Sequence, residues 1–400
     1  MEITTTILLL GFVGALVMGF VAHKTNYCTM GGVSDWINMG NTARLSAWFF
    51  SIAIAVFGVL FLQSFNDVSV ESTLPPFLTA NFAWLRYIVG GLMFGIGMVL
   101  AGGCGNKTLV NIGGGSLRSL FVLLIASIMA YLMTKTSFYE MFFHSWVSAT
   151  SINLADFEIQ NQSIDHLISA LTGMEPSTSI HNIVGALLGA TFLYLALRSK
   201  HFRKNRQLMA GAGIIGLMIV MAWYVTGGSM GQEAIETVEW LDERPVGVGV
   251  QSYTFINPMG DTLAYLMDPG NLLLISFGVV ALLGVILGSL IYSLIAGKFR
   301  ISAFSSKEDF IKHLIGGILM GVGGVLGMGC TIGQGITGVS TLAFGSLLVL
   351  GSIIFSAALT IKITYYKMAY EEEASFIGAF ISTLVDFKCL PESVRRLEEP

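Results

Sequence analysis

The feature that most limits how this chain can fold is a succession of apolar segments, each close to twenty residues long. An α-helix of that length spans the hydrocarbon core of a lipid bilayer, which is about 30 Å thick. Charged residues make up only 12% of the chain, whereas soluble domains contain about 25%. The sequence therefore predicts an all-α multi-spanning membrane protein. The nine predicted spans cover about 3–22, 44–64, 84–103, 117–135, 180–198, 207–226, 270–296, 311–329 and 343–363.

Composition and motifs argue against several classes of function. The net charge is −4 and no basic stripe with interleaved aromatic residues occurs, so we expect no nucleic-acid partner. The four cysteines form no CxxC pair and the histidines form no HExxH motif, so we predict no zinc site and no other resident metal or cofactor. The N-terminus lacks the basic region and cleavage site of a signal peptide, which favours a retained first helix.

The distribution of basic residues predicts the orientation of the spans, because Lys and Arg accumulate in cytoplasmic loops. Basic residues cluster near 24–44, 198–206 and 298–312. Three other polar stretches are acidic or uncharged and are predicted to be external: 65–83, 136–179 and 227–269. This pattern places the N-terminus outside and the C-terminus in the cytoplasm.

Two glycine-rich segments that end in cysteine indicate an internal repeat. Residues 90–104 read GGLMFGIGMVLAGGC and residues 316–330 read GGILMGVGGVLGMGC, with eight of fifteen positions identical at an offset of 226. The predicted topology makes the two copies run in opposite directions, and inverted repeats typically build a site near the bilayer midplane. The predicted divisions are a first inverted repeat (1–136), an external loop with a linker helix (137–206), a second repeat (207–370) and a cytoplasmic tail (371–400).

Polar, glycine-rich breaks interrupt the apolar pattern beside three of the cysteines, Cys28, Cys104 and Cys330. Irregular backbone is tolerated at membrane depth only where it lines a cavity or is buried in protein, so we predict short re-entrant half-helices there. The three thiols would then approach one centre. The repeat offset pairs Cys28 with Thr254, which predicts a hydroxyl in place of a fourth thiol.

A row of neutral thiols suits a large sulfur-bearing anion. A thiol is a weak donor and a soft acceptor, so it can replace part of the hydration of an anion without holding it as a fixed charge would. Half-helix N-termini would add oriented N–H groups. Further candidates for substrate binding are Thr331, Gln334 and Lys107.

Each candidate also has a structural interpretation. Buried cysteines commonly act as small hydrophobic residues, although the duplication favours a functional role for Cys104 and Cys330. Thr331 and Gln334 could satisfy only local backbone groups, and Lys107 could extend to the cytoplasmic interface.

The motifs GGLMFGIGMVLAGGC, NYCTMGG and GMGCTIGQGITG resemble those of the YeeE/YedE family of bacterial inner-membrane proteins, over nearly the whole chain. The resemblance implies an hourglass-shaped permease that takes up thiosulfate and relays it through S–H contacts of Cys28, Cys104 and Cys330. It also implies a separate TusA-like sulfur-carrier protein as a partner. No such domain is fused here, because Cys389 lies in CLPE and not in a CPxP motif.

The predicted function is therefore uptake of thiosulfate or a related sulfur-containing anion by a membrane permease that is not an enzyme. Three alternatives stay open at this point. The substrate could be another sulfur or selenium species. A Cu(I) or other soft-metal channel could combine the cysteines with Met30, Met98 and Met328. A membrane thiol–disulfide oxidoreductase could use the same thiols, although no CxxC motif supports it.

Overall fold

The computed structural model describes residues 2–66, 68–241, 244–370 and 375–397. In the first third of the chain, long helices alternate with short ones: α1 (Glu2–Thr25), α2 (Thr29–Met39), α3 (Ala43–Phe65), α4 (Trp84–Leu100), α5 (Gly105–Gly113) and α6 (Leu117–Lys135). A short-element region and a long helix follow: a π-helical turn (Glu140–His144), α7 (Ser145–Thr150), a 3-10 turn (Leu154–Phe157), α8 (Ile164–Thr172), α9 (Thr178–Arg198) and α10 (Lys200–Lys204).

The second part of the chain repeats the alternation of long and short elements. Its elements are α11 (Arg206–Gly227), α12 (Ser229–Glu239), α13 (Ile256–Met267), a 3-10 turn (Leu272–Leu274), α14 (Phe277–Ile295), α15 (Lys307–Leu326), a π-helical turn (Gly333–Gly338), α16 (Phe344–Tyr370), α17 (Phe376–Asp386) and a 3-10 turn (Glu392–Val394). Two short strands, β1 (Asn81–Phe82) and β2 (Ile152–Asn153), pair antiparallel.

The described residues contain nine helical segments long and apolar enough to cross a membrane, and each matches one predicted span. This confirms the all-α multi-spanning class. The seventh span begins at Phe277 and not near 270, because the Ser276 hydroxyl caps α14 by accepting a hydrogen bond from the N–H of Val279. Helix α4 ends at Leu100, before the predicted boundary at 103, because Gly102 adopts a φ of +71° that a right-handed helix does not contain.

Helices α4 and α15, which carry the duplicated glycine segments, pack closely in opposite directions. A Cβ atom on Gly97 would lie 2.9 Å from the carbonyl oxygen of Gly316, and a Cβ atom on Gly316 would lie 2.8 Å from that of Gly97. At the other end, a Cβ atom on Gly323 would lie 2.8 Å from the carbonyl oxygen of Gly90. Small residues thus allow the two backbones to approach. The interface is reciprocal, because Gly90 is equivalent to Gly316 in the repeat and Gly97 to Gly323.

The remaining helix contacts are reciprocal in the same sense. The contact of α1 with α14 corresponds in the repeat to the contact of α11 with α3. Likewise, the contact of α16 with α4 corresponds to the contact of α6 with α15. Helix α5 contacts α6 as the turn Gly333–Gly338 contacts α16. An inverted two-fold repeat would produce this pattern, and we propose that arrangement on this basis. The division at 136, 206 and 370 stays a prediction, and residues 371–374 and 398–400 of the predicted tail lie outside the described residues.

The stretches predicted to be external pack against the ends of the spans. Strand β2 pairs with β1, and α12 contacts both α1 and α11. In α8 the Asp165 carboxylate lies 3.1 Å from Nδ1 of His181, which ties α8 to α9. Burial raises the pKa of Asp165, but hydrogen bonds with His181 and Ser163 outweigh it and leave this pKa below the ordinary value. These segments are therefore folded against the long helices, and residues 253–260 of the third stretch enter the protein interior, which corrects the prediction that the whole of 227–269 is external.

Candidate functional site

Cys28 and Cys104 each stand immediately before a short helix, and Cys330 stands three residues before the π-helical turn Gly333–Gly338. The Sγ atom of Cys28 accepts a hydrogen bond from the N–H of Gly31, at 3.3 Å, as α2 begins. The Sγ atom of Cys330 accepts one from the N–H of Gly333, at 3.4 Å. Cys104 is the residue before α5. Side chains at this position usually satisfy the first free N–H groups of a helix, so each break in the apolar pattern places a thiol at a helix start.

The three thiols form one buried group, here called the thiol cluster (Cys28, Cys104 and Cys330). All three are free and buried. The side chains of Cys28 and Cys104 lie close enough to influence each other electrostatically. A Cβ atom on Gly105, the neighbour of Cys104, would lie 3.8 Å from the Cβ atom of Cys330. The structure thus brings together residues from both copies of the repeat, and the two most distant, Cys28 and Cys330, are 302 positions apart in the chain.

Two hydroxyl groups adjoin the thiol cluster. Thr254 faces the turn after Cys330, where a Cβ atom on Gly333 would be 2.4 Å from its Oγ1. Thr331 lies beside Cys104. Both hydroxyl oxygens are buried and make no hydrogen bond of normal geometry with the described residues. Unsatisfied buried hydroxyls are uncommon and costly, so these two are available to a polar ligand.

Gln334 is close to the cluster in sequence, but its amide is already engaged. Its Nε2 donates to the carbonyl oxygen of Gly327 at 2.6 Å, and its Oε1 accepts from the hydroxyl of Ser346 at 2.5 Å. These bonds join the end of α15 to the start of α16. The contacts of Gln334 therefore favour the structural interpretation over a role as a ligand.

Lys107 lies at the edge of the cluster, one turn into α5. Its ammonium group donates to Oδ1 of Asn26 at 2.8 Å, and it is near enough to Cys28 to interact with it electrostatically. The side chain is partly exposed. Lys107 therefore lies between the thiols and solvent.

Three buried polar groups near the thiols were missed by the sequence interpretation. The hydroxyl of Thr29 and the side-chain carbonyl oxygens of Asn106 and Asn257 are buried without a hydrogen-bond partner among the described residues. Thr29 and Asn106 follow Cys28 and Cys104 within the same glycine-rich breaks, and Asn257 follows Thr254. The sequence signal that could have identified them is a polar residue one to three positions after each predicted site residue, namely Cys28, Cys104 and Thr254.

The electrostatic character of the site favours an anion. Helices α2 and α5 both begin at a thiol of the cluster, and a helix N-terminus carries roughly half a positive charge with free N–H groups. Thiol hydrogens add weak donors. Within the described ranges, no group of three or more His, Cys, Asp and Glu side chains is placed to hold a metal ion.

Comparison with known proteins gives consistent matches. The sequence profile of the family described as "Sulphur transport" matches residues 24–359. The thiosulfate transporter TsuA of Escherichia coli (strain K12) is 27% identical over 329 residues, which cover 80% of this chain and 83% of that protein. The thiosulfate transporter TsuA of Spirochaeta thermophila is 25% identical over 241 residues, or 60% of this chain and 65% of that protein.

Proposed function

Because this chain belongs to the sulphur transport family, YeeE/YedE, we propose that its substrate is thiosulfate or a closely related sulfur-containing anion. The protein is a multi-pass membrane transporter and not an enzyme. The observation that supports this substrate is the buried thiol cluster with two unpartnered hydroxyls, set at the N-termini of short helices between the long ones.

In the proposed mechanism the thiols act as neutral hydrogen-bond donors in series. The anion first contacts Cys330, with Thr254 and Thr331 beside it, and then the adjoining thiols of Cys104 and Cys28. Each S–H group replaces a water of hydration, while its weakness as a donor allows the ion to move on. Lys107 assists at the far end. No bond to sulfur is made or broken in this scheme.

We propose that the protein lies in the bacterial inner membrane with the N-terminus outside and the C-terminus in the cytoplasm, as the basic loops predict. A separate TusA-like sulfur carrier would then receive the anion at the cytoplasmic side. Co-purification of such a carrier with the intact transporter tests the partner. A transporter that purifies without the carrier under mild detergent extraction, together with unchanged sulfur use by a strain that lacks the carrier, would argue against it.

Uptake of radiolabelled thiosulfate by a host that lacks sulfate uptake tests the thiol mechanism. We expect Cys104→Ala and Cys330→Ala each to lower uptake by about tenfold or more, because a buried anion loses a hydrogen-bond donor in the path. Cys104→Ser, which keeps a donor, should retain part of the activity. Cys389→Ala is the control, because that thiol is exposed in the tail.

Normal uptake by both alanine variants would exclude a thiol relay, whereas absence of uptake by the unchanged protein would exclude thiosulfate as the substrate. Competition by unlabelled sulfite, sulfide and selenite then distinguishes thiosulfate from other sulfur or selenium species. A competitor that inhibits at lower concentration than thiosulfate would identify itself as the better substrate.

A further inference from the structure

A cavity of about 590 Å³ lies where the ends of α4 and α16 meet the start of α15 and helix α17. Cavities of about 300–1,000 Å³ accommodate organic ligands, so this one is large enough for a lipid headgroup with part of its acyl chains. The charged residues of its described lining are Lys312, Lys367 and Glu308. Most of the lining is apolar and includes Ile96, Leu100, Leu359, Ile363, Phe376 and Phe380.

Helix α17, which forms one wall of this cavity, is fastened to α16 by a group of charged side chains. The Asp386 carboxylate lies 3.4 Å from Nζ of Lys362 and 2.8 Å from Nη1 of Arg395. The hydroxyl of Tyr366 also donates to this carboxylate, at 2.8 Å. Because these contacts join α16, α17 and the chain after it, the wall is part of the fold and is present before any ligand binds.

The two sides of α17 differ in a way that places the cavity beside lipid. Gly378 and Ala379 are buried against the protein, whereas Phe376 and Ile377 are 60% and 62% exposed and Phe380 is exposed as well. A short helix with one such apolar side lies in the membrane interface, with that side against the acyl chains. The end of α16 reaches the same level, since α17 follows it closely in the chain. The cavity therefore adjoins the bilayer at the end predicted to be cytoplasmic.

Two lysine side chains from different helices bring positive charge to this apolar cavity. The Nζ atom of Lys367, near the end of α16, lies 5.9 Å from the ring centre of Phe376. Lys312 lies in the second turn of α15, four residues after Glu308. Neither lysine forms a hydrogen bond or an ion pair with any residue that the structure describes, Glu308 included. An ammonium group has three N–H donors, so both lysines can donate to phosphate oxygens.

We propose that this cavity binds one anionic phospholipid of the surrounding leaflet, with its phosphate at Lys312 and Lys367 and an acyl chain along Phe376 and Phe380. Basic pockets between membrane-spanning helices on the cytoplasmic side bind anionic headgroups. The apolar walls would remove water from a small hydrated anion without replacing its hydrogen bonds, which favours a lipid over the transported ion. A bound lipid links α17 to α15 and stabilises the packed C-terminal segment, whatever the transported substrate is.

The test follows the unfolding temperature of delipidated full-length protein in detergent as phosphatidylglycerol, or phosphatidylcholine with the same acyl chains, is added. We expect phosphatidylglycerol to stabilise the protein at lower concentration. Lys312→Gln combined with Lys367→Gln should lower its apparent affinity by about fivefold or more, because each lysine near an anionic headgroup contributes about fivefold. The same pair changed to arginine keeps both charges and should retain the affinity. Lys200→Gln combined with Lys204→Gln is the matched control, because it removes two exposed lysines of α10, predicted to lie at the same end.

Equal stabilisation of the unchanged protein by the two lipids, or stabilisation by neither, would overturn the inference. Stabilisation by glycerol 3-phosphate at the concentration at which phosphatidylglycerol acts would assign the lysines to a water-soluble phosphate and not to a lipid. The lysines could instead serve only Glu308 or the acidic residues 371–373 that follow α16 in the chain. The glutamine pair would then unfold at a lower temperature without lipid and respond normally to phosphatidylglycerol, which also contradicts a lipid site.

Discussion

At the scale of single residues, hydrogen-bond partners separate groups that hold the fold from groups that are free to bind. Gln334 stands four positions after Cys330, yet both ends of its amide are used by Gly327 and Ser346. Arg86 lines a cavity, where its Nη2 donates to the carbonyl oxygen of Val325 and its buried Nε has no hydrogen-bond partner among the described residues. The repeat offset pairs Arg86 with Lys312, another cation. That correspondence is the sequence signal by which Arg86 could have been noticed.

Substitution of Gln334 tests its structural interpretation. Gln334→Ala leaves the carbonyl oxygen of Gly327 and the hydroxyl of Ser346 without a partner in the protein interior, at a cost of about 1–3 kcal/mol for each group. We expect a lower unfolding temperature in detergent, with a KM for thiosulfate that changes less than about twofold. The exposed Gln207→Ala is the control. An unchanged unfolding temperature with a raised KM would instead assign Gln334 to the binding site.

At the scale of elements, glycine determines how closely the two repeat helices approach. The pairs Gly90 with Gly323 and Gly97 with Gly316 bring the backbones of α4 and α15 into contact. This contact carries the thiols with it, because Cys104 and Cys330 each follow the end of one of these helices by four residues. Packing of the glycine faces therefore helps to position Cys104 and Cys330 relative to each other.

The close packing of α4 on α15 predicts that two glycine-to-alanine substitutions will differ in their effect on stability. Gly316→Ala would place a Cβ atom 2.6 Å from the amide nitrogen of Ala101, which is backbone and cannot rotate away. We expect a loss of about 1–3 kcal/mol in stability from overpacking, measured as a lower unfolding temperature, together with reduced uptake. Gly351→Ala in α16 is the matched control, because nothing lies within 4 Å of its Cβ position. Equal stability of the two variants would contradict close packing of α4 on α15.

At the scale of the whole molecule, the reciprocal contacts of the long helices support two halves of opposite direction around one centre. The thiol cluster draws Cys28 and Cys104 from the first half and Cys330 from the second. The substitution of a hydroxyl for the fourth thiol makes the two sides of this centre different. One side of this centre therefore has two thiols, and the other has a thiol and the hydroxyls of Thr254 and Thr331.

The proposed orientation is testable with a thiol reagent that does not cross membranes. Cys389 is exposed, whereas the cluster thiols are buried. We expect labelling of Cys389 in inverted vesicles but not in intact spheroplasts, because the C-terminus is predicted to be cytoplasmic. Ser69→Cys, placed in Cys389→Ala protein at an exposed position of a predicted external stretch, should show the opposite result. Labelling of Cys389 in spheroplasts would reverse the predicted topology.

The sequence by itself determined the membrane class, the nine spans and the repeat, because hydrophobic length, glycine spacing and duplication are local properties that can be counted along the chain. It also predicted that Cys28, Cys104 and Cys330 would share a centre, since an offset of 226 defines equivalent positions. Only the tertiary structure decided which polar groups near that centre have partners. The engagement of Gln334, the free hydroxyls of Thr254 and Thr331, and the hydrogen bond from Arg86 to Val325 depend on contacts between residues far apart in the chain. Burial and the satisfaction of hydrogen bonds are properties of the packed molecule.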